Sequence, residues 1–168
     1  PHSDGHGVAH KIKHDSEVEG AVISSNITLV PDSDPMTYEG SMNVMGQSII
    51  VDSMTMFKGF DDPTMITEGT VVEISGMFED DGIHAKRVKY EAAELMPDEE
   101  VEIKGYVSAY DETGGDYMMG SFMLGECQIT ITENTKFDDI DMLEDGMKVE
   151  VESVGDLVSI SPMCSLAA

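Results

Sequence analysis

From Glu17 onward, apolar and polar side chains alternate in short runs. Val71-Val72-Glu73-Ile74, Val101-Glu102-Ile103 and Gln128-Ile129-Thr130-Ile131-Thr132 are the clearest. A period of two is that of a half-buried strand, whose side chains point to opposite faces in turn. Turn-forming groups separate the runs: Pro31-Asp32-Ser33-Asp34-Pro35, Asp61-Asp62-Pro63, Asp80-Asp81-Gly82, Thr113-Gly114-Gly115-Asp116 and Asp145-Gly146. Many short strands at regular spacing predict an all-β chain built of small barrels or sandwiches. Helix is expected only as single turns, one near Asp138 to Leu143 and one around Pro63 to Ile66.

The pattern then repeats. Val18-Glu19-Gly20-Ala21-Val22 returns as Ile103-Lys104-Gly105-Tyr106-Val107. Ile49-Ile50-Val51 with Thr55-Met56-Phe57 returns as Ile129-Thr130-Ile131 with Thr135-Lys136-Phe137. Glu68-Gly69-Thr70-Val71-Val72-Glu73-Ile74 returns as Asp145-Gly146-Met147-Lys148-Val149-Glu150-Val151. The separations shrink from 85 to 80 to 77 residues while the order holds, as loop-length changes between two related units would produce. The expected organisation is an arm at 1–16, one unit at 17–92, an acidic linker at 93–99 and a second unit at 100–168.

Each unit reads Gly-x-Val, an apolar strand, Thr-x-Phe, then (Asp/Glu)-Gly-x-x-Val-Glu-(Ile/Val). In this it resembles the bacterial DUF5666 family, and the resemblance spans both units. It implies an exported protein and an OB-like small β-barrel fold, here two barrels in tandem behind an extended arm. Gly82-Ile83-His84-Ala85-Lys86-Arg87-Val88 is similar to the family's closing strand. The second unit departs there, with Asp156-Leu157-Val158-Ser159-Ile160-Ser161-Pro162 in the comparable place.

Charge narrows the range of partners. The 168 residues carry 34 Asp and Glu against 9 Lys and Arg, a formal charge of −25. Such a field repels nucleic-acid phosphates and anionic headgroups. The basic trio Lys86, Arg87 and Lys89 lies on one strand without an aromatic platform, so nucleic-acid binding is not expected. No apolar run approaches the roughly 20 residues of a membrane-spanning helix, so no membrane insertion is expected. The chain starts at Pro1, which suggests processing from a secretory precursor.

The arm, Pro1 to Ser16, differs from the rest. His2, His6, His10 and His14 recur every fourth residue, with Lys11 and Lys13 among them. Extended, this spacing puts the four imidazoles on one face with Val8 and Ile12, and successive imidazoles about 13 Å apart at roughly 3.3 Å per residue. One ion is then chelated only if the arm folds or a second chain contributes. The two readings are a docking arm and a site for copper or another transition metal, which neutral imidazole suits. Methionine, used 14 times in a chain without Trp, has a similar pair of readings. Met42, Met45, Met54, Met56, Met118, Met119 and Met123 fill a core or an interface, or serve as soft ligands for Cu(I). Asp138, Asp139 and Asp141 form the acidic loop best suited to calcium, and Asp32 with Asp34 and Asp61 with Asp62 read as solvated charge. His84 falls inside a strand pattern and is expected to be structural. The two cysteines, Cys127 and Cys164, are expected to pair in an exported chain.

Nucleophile elbows, zinc-protease helices and phosphate loops are all missing from the sequence. The expectation is therefore a non-enzymatic exported module that self-associates into an oligomer or filament, its arm adding as a strand to a neighbour. The alternative is an extracellular or periplasmic metal-binding protein using the arm histidines and methionine clusters.

Overall fold

The computed structural model describes residues 16–94, 96, 100–112, 119–138, 142–154 and 165–167. The arm residues His2, His6, Val8, His10, Ile12 and His14 lie outside the described residues, as does most of the linker. The described elements are β1 (Val18–Leu29), β2 (Tyr38–Val44), β3 (Gln47–Val51), β4 (Met56–Lys58), a 3-10 turn (Pro63–Met65), β5 (Val71–Glu79), β6 (Gly82–Ala92), β7 (Glu100–Glu112), β8 (Gly120–Leu124), β9 (Cys127–Ile131), β10 (Lys148–Val154) and β11 (Ser165–Ala167). The fold is all-β, as the period-two pattern requires. The expected turn at Pro63 is present, its first amide capped by Asp62, which accepts from Thr64 N at 2.9 Å. The other, near Asp138, reaches into residues outside those described.

Strands of the first unit close on themselves. β1 pairs antiparallel with β2, β2 with β3, β3 parallel with β6, β6 antiparallel with β5, and β5 with β1 again. Closure leaves no open edge within this five-strand circuit. Short β4 lies outside it, parallel to the end of β6. The second unit repeats the ladders one for one: β7 with β8, β8 with β9, β9 parallel with β11, and β10 with β7. The β10–β11 ladder that would complete its circuit is not among the described residues, nor is the Asp156 to Pro162 segment.

Local hydrogen bonds repeat along with the strands. Val22 N donates to Thr70 O and Gly69 N to Val22 O, both at 2.9 Å; Val107 N donates to Met147 O and Gly146 N to Val107 O, both at 2.8 Å. Thr55 closes its turn on Asp52 as Thr135 does on Thr132. The Gly-x-Val, Thr-x-Phe and (Asp/Glu)-Gly signatures are thus the residues that clamp each turn to the strands of its unit.

The two units meet along β1 and β7, where Val18 faces Ile103 and Glu19 faces Glu102, and Lys104 N donates to Glu17 O at 2.9 Å. Val18 and Ile103 hold the same position in the repeat, so a local two-fold axis passes between them. A second contact joins the hairpin tips. Met45 and Gly46, both with positive φ, make the tight β2–β3 turn, and Gly46 O accepts from Glu126 N of the β8–β9 turn at 2.8 Å. One continuous apolar core runs through both units, from Val22, Val44, Ile49 and Ile74 to Ile103, Leu124, Ile129 and Val151.

Methionine divides by strand geometry. Met42 and Met45 are buried core residues, whereas Met54 is 68% and Met56 65% exposed. β4 is an edge strand: its alternation turns Phe57 inward, edge-to-face with Tyr38 and Phe60, and Met56 outward. Met119 is exposed and Met123 half-buried, and Met118 lies outside the described residues.

Candidate functional site

Packing the units about their local axis leaves a cleft of about 600 Å³ between them. Its walls are the mid-sections of β1 and β2, the start of β3, the β5–β6 turn, β7 and the β8–β9 turn. Ser24, Ser25, Asn26, Ser41 and Ser48 line the first-unit side, and Tyr106 and Ser108 the second. Phe78 and Tyr106, one from each unit, meet edge-to-face at 5.7 Å, and Lys148 Nζ caps the Phe78 ring at 4.7 Å.

Charge in the cleft is of one sign. Glu79, Asp80, Asp81 and Glu126 line it, and its lining includes no Lys or Arg. Asn43 braces one wall, donating to Glu126 Oε2 at 3.0 Å and accepting from Gly46 N at 2.9 Å. Gln47 is only 6% exposed, and its Nε2 has no hydrogen-bond partner. A buried amide donor left unpaired costs about 1–3 kcal/mol; this one is enclosed by the second unit, where Cβ atoms on Gly105 and Gly125 would stand 3.5 and 3.0 Å from it.

His84, on β6 just beyond the acidic turn, places Nε2 2.8 Å from Asp81 Oδ1 and 3.8 Å from Glu79 Oε2. The hydrogen bond His84 donates to Asp81 raises the imidazole above its ordinary pKa against partial desolvation, and the Glu79 charge adds to it. The same bond holds the Asp81 carboxyl below its usual range. His84 does lie in a strand, as the pattern predicts, but its ring is directed at two carboxylates rather than at the core.

A second carboxylate group is Glu102, Glu150 and Glu152, and the first two share a cation. Lys104 Nζ lies 2.8 Å from Glu102 and 3.1 Å from Glu150; these bonds keep the ammonium above its ordinary pKa although burial pulls it down. Glu73 is likewise answered. Burial would raise its carboxyl, but the Lys89 hydrogen bond and the Lys89 and Arg87 charges outweigh burial and hold it low. Arg87 and Lys89 are therefore both engaged by Glu73 rather than free for an anionic partner.

Of the residues singled out by sequence, Asp138 is exposed, while Asp139 and Asp141 lie outside the described residues. Cys127 is fully buried at the head of β9 and disulfide-bonded; Cys164 lies outside the described residues. β11 begins at Ser165, opposite Gln128. Sequence reasoning found Asp80-Asp81-Gly82 only as a turn, and missed Glu79, Gln47, Tyr106 and Glu126. Their meeting depends on how the units pack, and a period-two pattern carries no signal for that.

Among the described residues no helix is long and apolar enough to cross a membrane. The model of a family described as a domain of unknown function, DUF5666, matches residues 26–89 and 104–161. The chain belongs to the DUF5666 family, with a match in each of its two units. No curated protein and no solved structure is significantly similar to it.

Proposed function

We propose that this is an exported, non-enzymatic assembly module in which the N-terminal arm of one copy docks in the inter-unit cleft of another. The observation that carries the reading is the cleft itself, whose lining holds four carboxylates and no Lys or Arg. The arm holds Lys11 and Lys13 against Asp4 and Asp15, and its four histidines add positive charge when protonated, in a chain of net charge −25. An extended peptide docks in such a groove with alternate side chains facing it. Val8 and Ile12 would then share one face of the docked segment.

Two features support the wider reading. The β1–β2–β3–β6–β5 circuit with its parallel β3–β6 pair has the strand order of an OB-like small barrel. The oxidised, buried Cys127 suits an oxidising compartment and hence export. A head-to-tail exchange of arms that does not close yields a filament.

Sedimentation velocity tests the reading. The full chain should associate, and should dissociate as salt screens the attraction over about 8–10 Å at physiological ionic strength. Removal of residues 1–15 should leave a monomer. Identical sedimentation of the full and shortened chains would contradict the proposal.

A further inference from the structure

We propose that Glu79, Asp81 and His84 hold one divalent first-row transition-metal ion at the edge of the cleft. This site is distinct from the arm histidines and the methionines, and it does not depend on the docking of the arm. One carboxylate oxygen from each acid and one imidazole nitrogen all lie within 4.8 Å of one another. Around a tetrahedral ion with bonds near 2.0–2.1 Å, neighbouring ligand atoms stand roughly 3.3 Å apart. The observed separations of His84 Nε2 from Asp81 and Glu79, 2.8 and 3.8 Å, bracket that figure. Glu79 and Asp81 are exposed, so small rotations of their side chains even out the difference without moving the backbone.

Three protein ligands leave a coordination position open, which water or another oxygen ligand fills. The turn that carries Asp81 is held in place: Ser48 packs so closely on Gly82 that a Cβ there would come 2.5 Å from Ser48 O. The imidazole selects the class of ion: carboxylates alone suit calcium or magnesium, while a nitrogen ligand favours zinc, copper and their neighbours. Nothing basic lines this part of the cleft to compete, in contrast to Lys104 within the Glu102, Glu150 and Glu152 group.

The test uses the full chain with His2, His6, His10 and His14 replaced by Ala, so that His84 is the one imidazole left. Zn(II) is titrated by calorimetry, and the His84 ring is followed by ¹⁵N NMR. One Zn(II) should bind per chain at micromolar or tighter Kd, with a coordination shift at Nε2. His84→Ala and Asp81→Asn should each weaken binding by about tenfold or more. Calcium at equal concentration should not displace the zinc. The NMR shift reads coordination without altering the site, so a variant that folds poorly does not blunt the test. Three results overturn the proposal: binding weaker than micromolar in the arm-substituted chain, binding unchanged by His84→Ala, or equal displacement by Ca(II). If zinc binds only when the arm histidines are present, this site is refuted and arm docking is left standing.

Discussion

Gly46 shows how a single missing Cβ permits the contact between units. Its φ is +78°, and a Cβ there would fall 2.5 Å from Cys127 N. Any other L-residue meets both left-handed strain and backbone that has no room to yield. Gly46→Ala should therefore cost about 2 kcal/mol or more, read as a lower denaturant midpoint; an unchanged midpoint would mean the tips do not touch. Glu19 makes a prediction of a different kind. Burial raises its carboxyl pKa first, and the Glu91, Glu73 and Glu102 charges push the same way. A carboxyl with a raised pKa binds more protons folded than unfolded, so stability falls as pH rises through the window between the ordinary and the raised value. Glu19→Gln should stabilise the protein at pH 7 by a few tenths to about 1 kcal/mol, given that Glu19 faces Glu102 across the ladder. The gain should vanish below the ordinary carboxylate range. A gain that persists in acid, measured by chemical denaturation against pH, would assign the effect to packing.

Strands were the most legible part of the sequence, because period two survives whatever the strands pack against. Val71 to Ile74, Val101 to Ile103 and Gln128 to Ile131 lie within β5, β7 and β9. The repeated signatures also proved meaningful: Gly69 and Gly146 make equivalent bonds to Val22 and Val107. The pairing of the closing strand in the second unit was not legible. Its family-like position, Asp156 to Pro162, drew attention, whereas the strand that pairs parallel with β9 is Ser165–Ala167. Three residues are too short a run for alternation to register. Such a strand needs another anchor, and Cys127 heads the strand that it pairs with. With two cysteines in the chain and Cys127 oxidised, we expect Cys164 as its partner. Reduction should then lower stability by about 4 kcal/mol in the chain-entropy picture. Denaturant melts with and without reductant measure this, and two freely alkylated thiols in the unreduced protein would rule the bridge out.

The family model matches once in each unit, and the two units share one core. Val18 and Ile103 meet at a local two-fold axis, the hairpin tips interlock, and the apolar core is continuous. Unfolding should therefore be a single cooperative transition, with calorimetric and van't Hoff enthalpies equal. Two resolved transitions would show that each unit stands alone. The same packing creates the acidic cleft, which explains why no local motif announced it: its carboxylates come from a turn in one unit and a turn in the other. The net charge of −25, a barrier to anionic partners, would on the proposed reading favour a cationic one. The central claim is that the arm of one copy occupies the cleft of another. Zero-length carbodiimide cross-linking of a mixture of isotope-labelled and unlabelled chains tests it most directly, by joining lysines to carboxylates in contact. The account predicts peptides linking Lys11 or Lys13 of one isotope to Glu79, Asp81 or Glu126 of the other. Arm lysines linked only within their own chain, or only to carboxylates outside the cleft, would contradict it.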